Sequence, residues 1–216
     1  VSNSSRDDVL PTSTDMNLYG GIYREAELIL TERTAISPLY LGSDGVLVHP
    51  QTVGPEKVEG EIEVHITSKG DNSCTLNVDI TSPRGERVFS KRQKARLDGK
   101  PVSVAFSVDN PTLWSLRDPA LYTVTASIGE DSITDRVAVR TGFRSIGAST
   151  AEGLTINGER TPVRGVTLYH DNALSGGTLT PEDYDADLRI IRTMGANALR
   201  SAVMPVSYTH LTLPTT

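Results

Sequence analysis

The sequence predicts a mainly β chain: the end of one sandwich, a second complete sandwich, then a strand–helix–strand unit of a parallel sheet. Two observations carry that expectation. From about Glu59 to Arg140, short alternating apolar segments recur, each closed by turn residues and none with a helical period. After Gly142 the pattern changes, and a capped helix stands between two short apolar runs.

The segment to about Pro50 reads as one or two strands with a wet face, because Ile22, Ala26, Leu28 and Leu30 partly alternate with Tyr23, Glu25 and Glu27. It is too short and too polar to hold a core alone. Next, Ile62, Val64 and Ile66 alternate before the turn Lys69-Gly70-Asp71-Asn72, and Leu76, Val78 and Ile80 before Ser82-Pro83-Arg84-Gly85. Val102, Val104, Phe106 and Val108 lead to Asp109-Asn110-Pro111, and Tyr122, Val124 and Ala126 to Gly129-Glu130-Asp131; Val137 and Val139 close the series. Strands at this spacing predict a β-sandwich of immunoglobulin-like size, without the paired cysteines of antibody domains.

Beyond Gly142, Leu154 to Gly158 reads as a hairpin turn and Val163 to Leu168 as a short strand. Thr180 is placed to cap a helix with Pro181 in its first turn, and Glu182 and Asp183 face its positive end. Tyr184, Leu188, Ile191 and Met194 keep helical spacing, Gly195 stops the helix, and a second strand runs from Asn197 to Met204. The tail Val206–Thr216 (VSYTHLTLPTT) breaks this grammar. It reads as an adaptor-encoded, non-native extension, with a loop after the second strand as the alternative.

Composition narrows the function classes. With 37% hydrophobic and 22% charged residues and a net charge of −6, the chain has no basic stripe of the kind that grips phosphate backbones, which argues against nucleic acid. No apolar run approaches the roughly 20 residues that span a bilayer. Cys74, the single cysteine, sits in an alternating run and is expected as a buried strand thiol. His49, His65, His170 and His210 are scattered, without metal-ligand spacing. No cofactor is expected within this stretch.

Four phrases, in order, resemble glycoside hydrolase family 2, which holds β-galactosidases, β-glucuronidases and β-mannosidases. Asp15 to Arg24 (DMNLYGGIYR) is similar to the end of the family's sugar-binding jelly roll. Asp109 to Ser115 (DNPTLWS) with Asp118 to Tyr122 (DPALY) resembles a phrase of its immunoglobulin-like domain. Thr141 to Ile146 (TGFRSI) with Leu154 to Gly158 resembles the linker into its TIM barrel, and Arg164-Gly165-Val166 with Asp187 to Arg200 the first two barrel strands and their helix. The resemblance therefore implies a jelly-roll remnant over 1–50, an immunoglobulin-like sandwich over 51–142, the first βαβ unit of a TIM barrel over 143–205, and the foreign tail over 206–216.

The same resemblance implies a retaining exo-glycoside hydrolase acting on terminal β-glycosides. A β-galactoside leads, with β-glucuronidase or β-mannosidase as alternatives; a non-catalytic carbohydrate-binding module is the reading from another class. It expects the chain to be truncated at both ends, with the acid/base and nucleophile Glu residues beyond its C-terminus and the stretch alone inactive. For the full-length parent it allows a divalent or sodium ion and a homo-oligomer; the partner is a β-linked saccharide, not nucleic acid or membrane. A bacterial periplasmic or secreted setting is expected, with the cytoplasm as the alternative.

The resemblance also supplies substrate-binding candidates. Asp15 matches an aspartate that reaches the sugar of the −1 subsite; a turn-capping Asp weighs equally. Arg200 matches an arginine that braces the catalytic carboxylates. Asp171 fits an aspartate after the first barrel strand, with a solvated loop Asp as the alternative; many β-galactosidases carry histidine where this chain has Tyr169, and His170 stands one place along. Where those enzymes have Ser-His-Tyr-Pro after strand two, this chain runs Ser201, Ala202, Val203, Met204, Pro205. Trp114 is expected to anchor a turn rather than to stack on sugar, and Glu182 and Asp183 to cap a helix.

Overall fold

The computed structural model describes residues 28–201, together with Ile22 and Ala26. The described residues are mainly β, with one helix among them, and fall into two compact units, one spanning Leu30–Thr161 and the other holding the described residues from Pro162 onward.

The larger unit is a sandwich. One sheet has the order β2 (Val46–Val53), β3 (Lys57–Val64), β7 (Val102–Asp109); the facing sheet runs β6 (Arg87–Arg96), β5 (Ser73–Thr81), β8 (Tyr122–Ile128), β9 (Asp135–Thr141), with every pairing antiparallel. Period-2 alternation sends one set of side chains between the sheets. Val58, Ile62 and Val64 of β3, Leu76, Val78 and Ile80 of β5, and Val124 of β8 are fully buried in one core. Phe143 joins it from beyond β9, its ring centroid 4.6 Å from that of Tyr122 and 5.8 Å from that of Phe106.

At Gly60 of β3 the neighbouring β2 backbone leaves no room for a side chain: an added Cβ would lie 2.3 Å from the His49 carbonyl oxygen. A short ladder of β1 (Thr34–Ile36) and β4 (Ile66–Ser68) is tied to the four-stranded sheet, because Asp135 Oδ2 accepts the Ile36 N–H at 2.8 Å. The sequence pattern missed β6, whose residues RVFSKRQKAR are mostly exposed and carry no clean apolar alternation, as suits an edge strand. Expected strand at 22–30 is not seen at the described positions: Ile22, Leu28 and Leu30 are exposed and pair with no neighbour. The run 62–66 also breaks at His65, where the chain leaves one sheet for another.

The end of the unit is a small meander, β10 (Ile146–Ser149), β11 (Gly153–Ile156) and β12 (Glu159–Arg160), turned at Asn157-Gly158 with φ of 53° and 78°. Such paired positive φ values suit Asn-Gly. Asn157 also ties the meander to the sandwich: its Oδ1 accepts the Ser145 N–H at 3.0 Å and its Nδ2 donates to the Trp114 carbonyl at 2.9 Å.

The smaller unit holds β13 (Gly165–Leu168), α1 (Pro181–Thr193) and β14 (Ala198–Ser201), the two strands paired in parallel from Gly165↔Ala198 to Leu168↔Ser201. Parallel neighbours need a crossover, and the helix provides it. Its ends are as the sequence requires. Thr180 and Asp183 form a reciprocal capping box, Pro181 opens the first turn, and Gly195 follows the C-cap at φ 83°. Glu182 and Asp183 are thus first-turn acids, and Asp183 is spent on the cap. Tyr184 faces a small core with Leu168 and Leu179, against which Ile191 and Leu199 pack, and Leu188 is buried on the same helix.

Candidate functional site

The C-terminal ends of β13 and β14 are where a parallel sheet exposes its chemistry, because the chain leaves the sheet there. Leu168 and Leu199 point toward α1, as their packing with Tyr184 and Ile191 requires. Strand alternation then sends Thr167 and its register partner Arg200 to the opposite face. Arg200 is exposed there, and Tyr169, next along from β13, is 50% exposed.

His170 takes the helix side. Its Nε2 lies 2.7 Å from Ser201 Oγ and its Nδ1 3.2 Å from Tyr184 Oη, with the Tyr184 ring edge-on at 5.8 Å between centroids. Both ring nitrogens are therefore engaged by groups from two other elements, which holds the imidazole plane and couples its tautomer to two hydroxyls that can each donate or accept. Asp171, half-buried, follows at the start of a loop that Asn172 organises: its Oδ1 accepts the Ser175 N–H at 2.7 Å and the Leu174 N–H at 3.0 Å.

Of the candidates read from the sequence, Tyr169, His170, Asp171 and Arg200 thus gather at one end of one parallel strand pair. Asp15 lies outside the described residues, as does the segment 202–216. Sequence reasoning missed Ser201 and Tyr184 as partners of His170. The available signal was the alternation of Leu199 with Ser201 and the first-turn place of Tyr184, both of which put a hydroxyl on the helix side of the sheet.

Trp114 belongs to the sandwich. Its N–H donates to the Phe143 carbonyl at 2.9 Å, Gly142 leaves room for its ring, and the Arg144 guanidinium stands 4.7 Å from the ring centroid. Cys74 is half-buried; burial, then the Asp71 carboxylate, pushes its thiol pKa up. Among the described residues, no cluster of three or more His, Cys, Asp or Glu side chains could hold a metal ion, and no helix is long and apolar enough to cross a membrane.

Comparison with known proteins places these features in context. Residues 46–144 match the sequence profile of the glycosyl hydrolases family 2. A β-glucuronidase of Bacteroides fragilis is 31% identical over 95% of this chain, which spans 30% of that protein's length. The crystal structure of an FMN-binding β-glucuronidase from Facaelibacterium prausnitzii L2-6 is similar at a TM-score of 0.85 and 33% identity, over 97% of this chain and 32% of that one. That of a putative β-galactosidase from Bacteroides fragilis is similar at a TM-score of 0.89 and 29% identity, over 96% and 32%.

Proposed function

We propose, for a chain that belongs to glycosyl hydrolase family 2, that it forms part of a retaining exo-acting β-glycosidase whose substrate is a terminal β-glucuronide. The observation that carries the reading is the 31% identity to a β-glucuronidase, sustained over 95% of this chain and so through both units. The sequence alone favoured a β-galactoside, and that remains the second reading, supported by the likeness to a putative β-galactosidase. The departure at Ser201–Pro205 from the Ser-His-Tyr-Pro of many β-galactosidases favours the first.

On this reading the residues before Leu30 close a jelly roll, Leu30–Thr161 hold the immunoglobulin-like sandwich and 162–205 open a TIM barrel, with 206–216 foreign to it; because β2 spans Val46–Val53 and Phe143 sits in the sandwich core, the borders at 50 and 142 expected from the sequence do not fall between folded units. Tyr169 and Arg200 then belong to the barrel interior, and His170, held by Ser201 and Tyr184, sets the wall beside them. Retention requires two carboxyl groups about 5–5.5 Å apart, one protonating the leaving oxygen and one attacking the anomeric carbon. Arg200 would hold such a carboxylate ionised and oriented, since a guanidinium is costly to bury without an anionic partner. Tyr169 would offer a hydroxyl to the sugar. Asp15 would add a charged hydrogen bond to a sugar hydroxyl, worth about 1.5–3 kcal/mol.

The test is a substrate panel with the full-length enzyme, using nitrophenyl β-glucuronide, β-galactoside and β-mannoside. Preference for the glucuronide by kcat/KM supports the first reading and preference for the galactoside the second. Hydrolysis of none of them refutes both.

A further inference from the structure

The two outer faces of the sandwich carry opposite charge. On the four-stranded sheet, Arg92, Lys94 and Arg96 alternate along β6, Arg136 and Arg140 along β9, and all five are exposed. Their cross-strand neighbours are uncharged: Asn77 opposite Arg92, Thr75 opposite Lys94, Ser73 opposite Arg96, Ser127 opposite Arg136 and Thr123 opposite Arg140. Asp79, 4.0 Å from Arg87, is the acid of this face. On the three-stranded sheet, Glu59, Glu61 and Glu63 alternate along β3, and their neighbours on β7 are Ser107, Ala105 and Ser103. Lys57 and the imidazoles of His49 and His65 touch Glu59 and Glu63, while Asp109 adds a further acid.

A row of like charge on one strand face is unfavourable by itself, and in a chain of net charge −6 a face of five cations is not explained by composition. The rows also match in pitch. Alternate residues on a strand stand about 6.6–7 Å apart, so Glu59, Glu61, Glu63 and Arg92, Lys94, Arg96 repeat at the same interval with opposite sign.

We infer that the sandwich associates with a second copy of this chain, the Arg92-Lys94-Arg96 face of one against the Glu59-Glu61-Glu63 face of the other. Because each copy presents both faces, the contact is heterologous and propagates head to tail. The residues at the contact are polar, and exposed pairs of charge contribute little, so the association is weak, driven by charge and lost with salt.

The test is sedimentation of the full 216-residue chain at about 20 mM and about 300 mM NaCl, where the screening length falls from roughly 20 Å to roughly 6 Å. The weight-average sedimentation coefficient should rise with protein concentration at low salt and return to the monomer value at high salt. R92Q/R96Q and E59Q/E61Q, each with one face largely neutralised and the other intact, should each sediment as monomers at low salt. Mixed in equal amounts, they should form a species of two chains that grows no further, because each supplies one intact face.

A chain that stays monomeric at low salt overturns the proposal, as does association that survives in either variant or is indifferent to salt. A monomer retained on heparin through Arg92 and Arg96 overturns it too, and assigns the basic face to a polyanion instead. Should a double variant lose its cooperative urea transition, R92Q and E61Q take its place, and each must weaken the low-salt association.

Discussion

Replacing Phe143 with alanine tests whether the phrase Thr141–Ile146 is a packing device of the sandwich. Phe143 is fully buried, its ring set against Tyr122 and Phe106, and the Trp114 N–H is bonded to its carbonyl. Truncating a buried Phe costs about 3–5 kcal/mol, the lost transfer energy plus the cavity. Loss of two aromatic contacts, each worth about 0.5–1.5 kcal/mol beyond area burial, puts this site toward the upper end. The backbone bond to Trp114 survives the change, so the loss isolates the ring. Urea unfolding followed by Trp114 fluorescence should show the midpoint falling with little change in slope. F143L, which refills part of the space, should fall between wild type and F143A. L116A, at a site 48% exposed, should stay within about 0.5 kcal/mol of wild type. A loss below about 1 kcal/mol for F143A would refute the reasoning, and Phe143 would then be a minor part of this core.

Other expectations follow from single sites. G142A should destabilise the sandwich by about 1–3 kcal/mol, because the new methyl would meet Trp114 Cδ1 at 2.8 Å; thermal melts of the variant and wild type measure it. T180A removes half of a capping box and should cost about 1 kcal/mol, read as faster amide exchange in the first turn of α1. The raised Cys74 pKa leaves less thiolate at pH 8 than a free cysteine has. Its reaction with a disulfide reagent should therefore be slow in the folded chain, quicken as pH rises, and become fast in urea. The 216-residue chain alone should not turn over a nitrophenyl β-glycoside above a mock preparation. In the full-length enzyme, D15A should lower kcat/KM about ten-fold or more. R200A should lower kcat with the fold intact by circular dichroism. Wild-type turnover by both folded variants would make the two residues a turn cap and a structural cation.

Much of the fold was legible because it rests on local rules. Leu76, Val78 and Ile80 announce an inward face by alternation alone, and Thr180, Pro181 and Gly195 mark both ends of α1. The edge strand β6 was illegible for the opposite reason: with one partner strand and mostly exposed residues it needs no apolar period, and its charges read as loop. The site was legible only in part. His170 could be placed at the end of β13 by resemblance, but its partners come from positions 184 and 201, and only the parallel register of β13 with β14 brings Ser201 beside it. Likewise, three glutamates on β3 look like scattered surface charge until pairing shows that β7 opposes them with Ser103, Ala105 and Ser107.

The most direct test of the functional account is the stereochemistry of the first-formed sugar. Nitrophenyl β-glucuronide hydrolysed by the full-length enzyme should release, by time-resolved proton NMR, the β anomer before mutarotation mixes the two, as a double displacement requires. Early appearance of the α anomer, or no hydrolysis of any β-glycoside in the panel, would contradict the assignment of this chain to a retaining β-glycosidase.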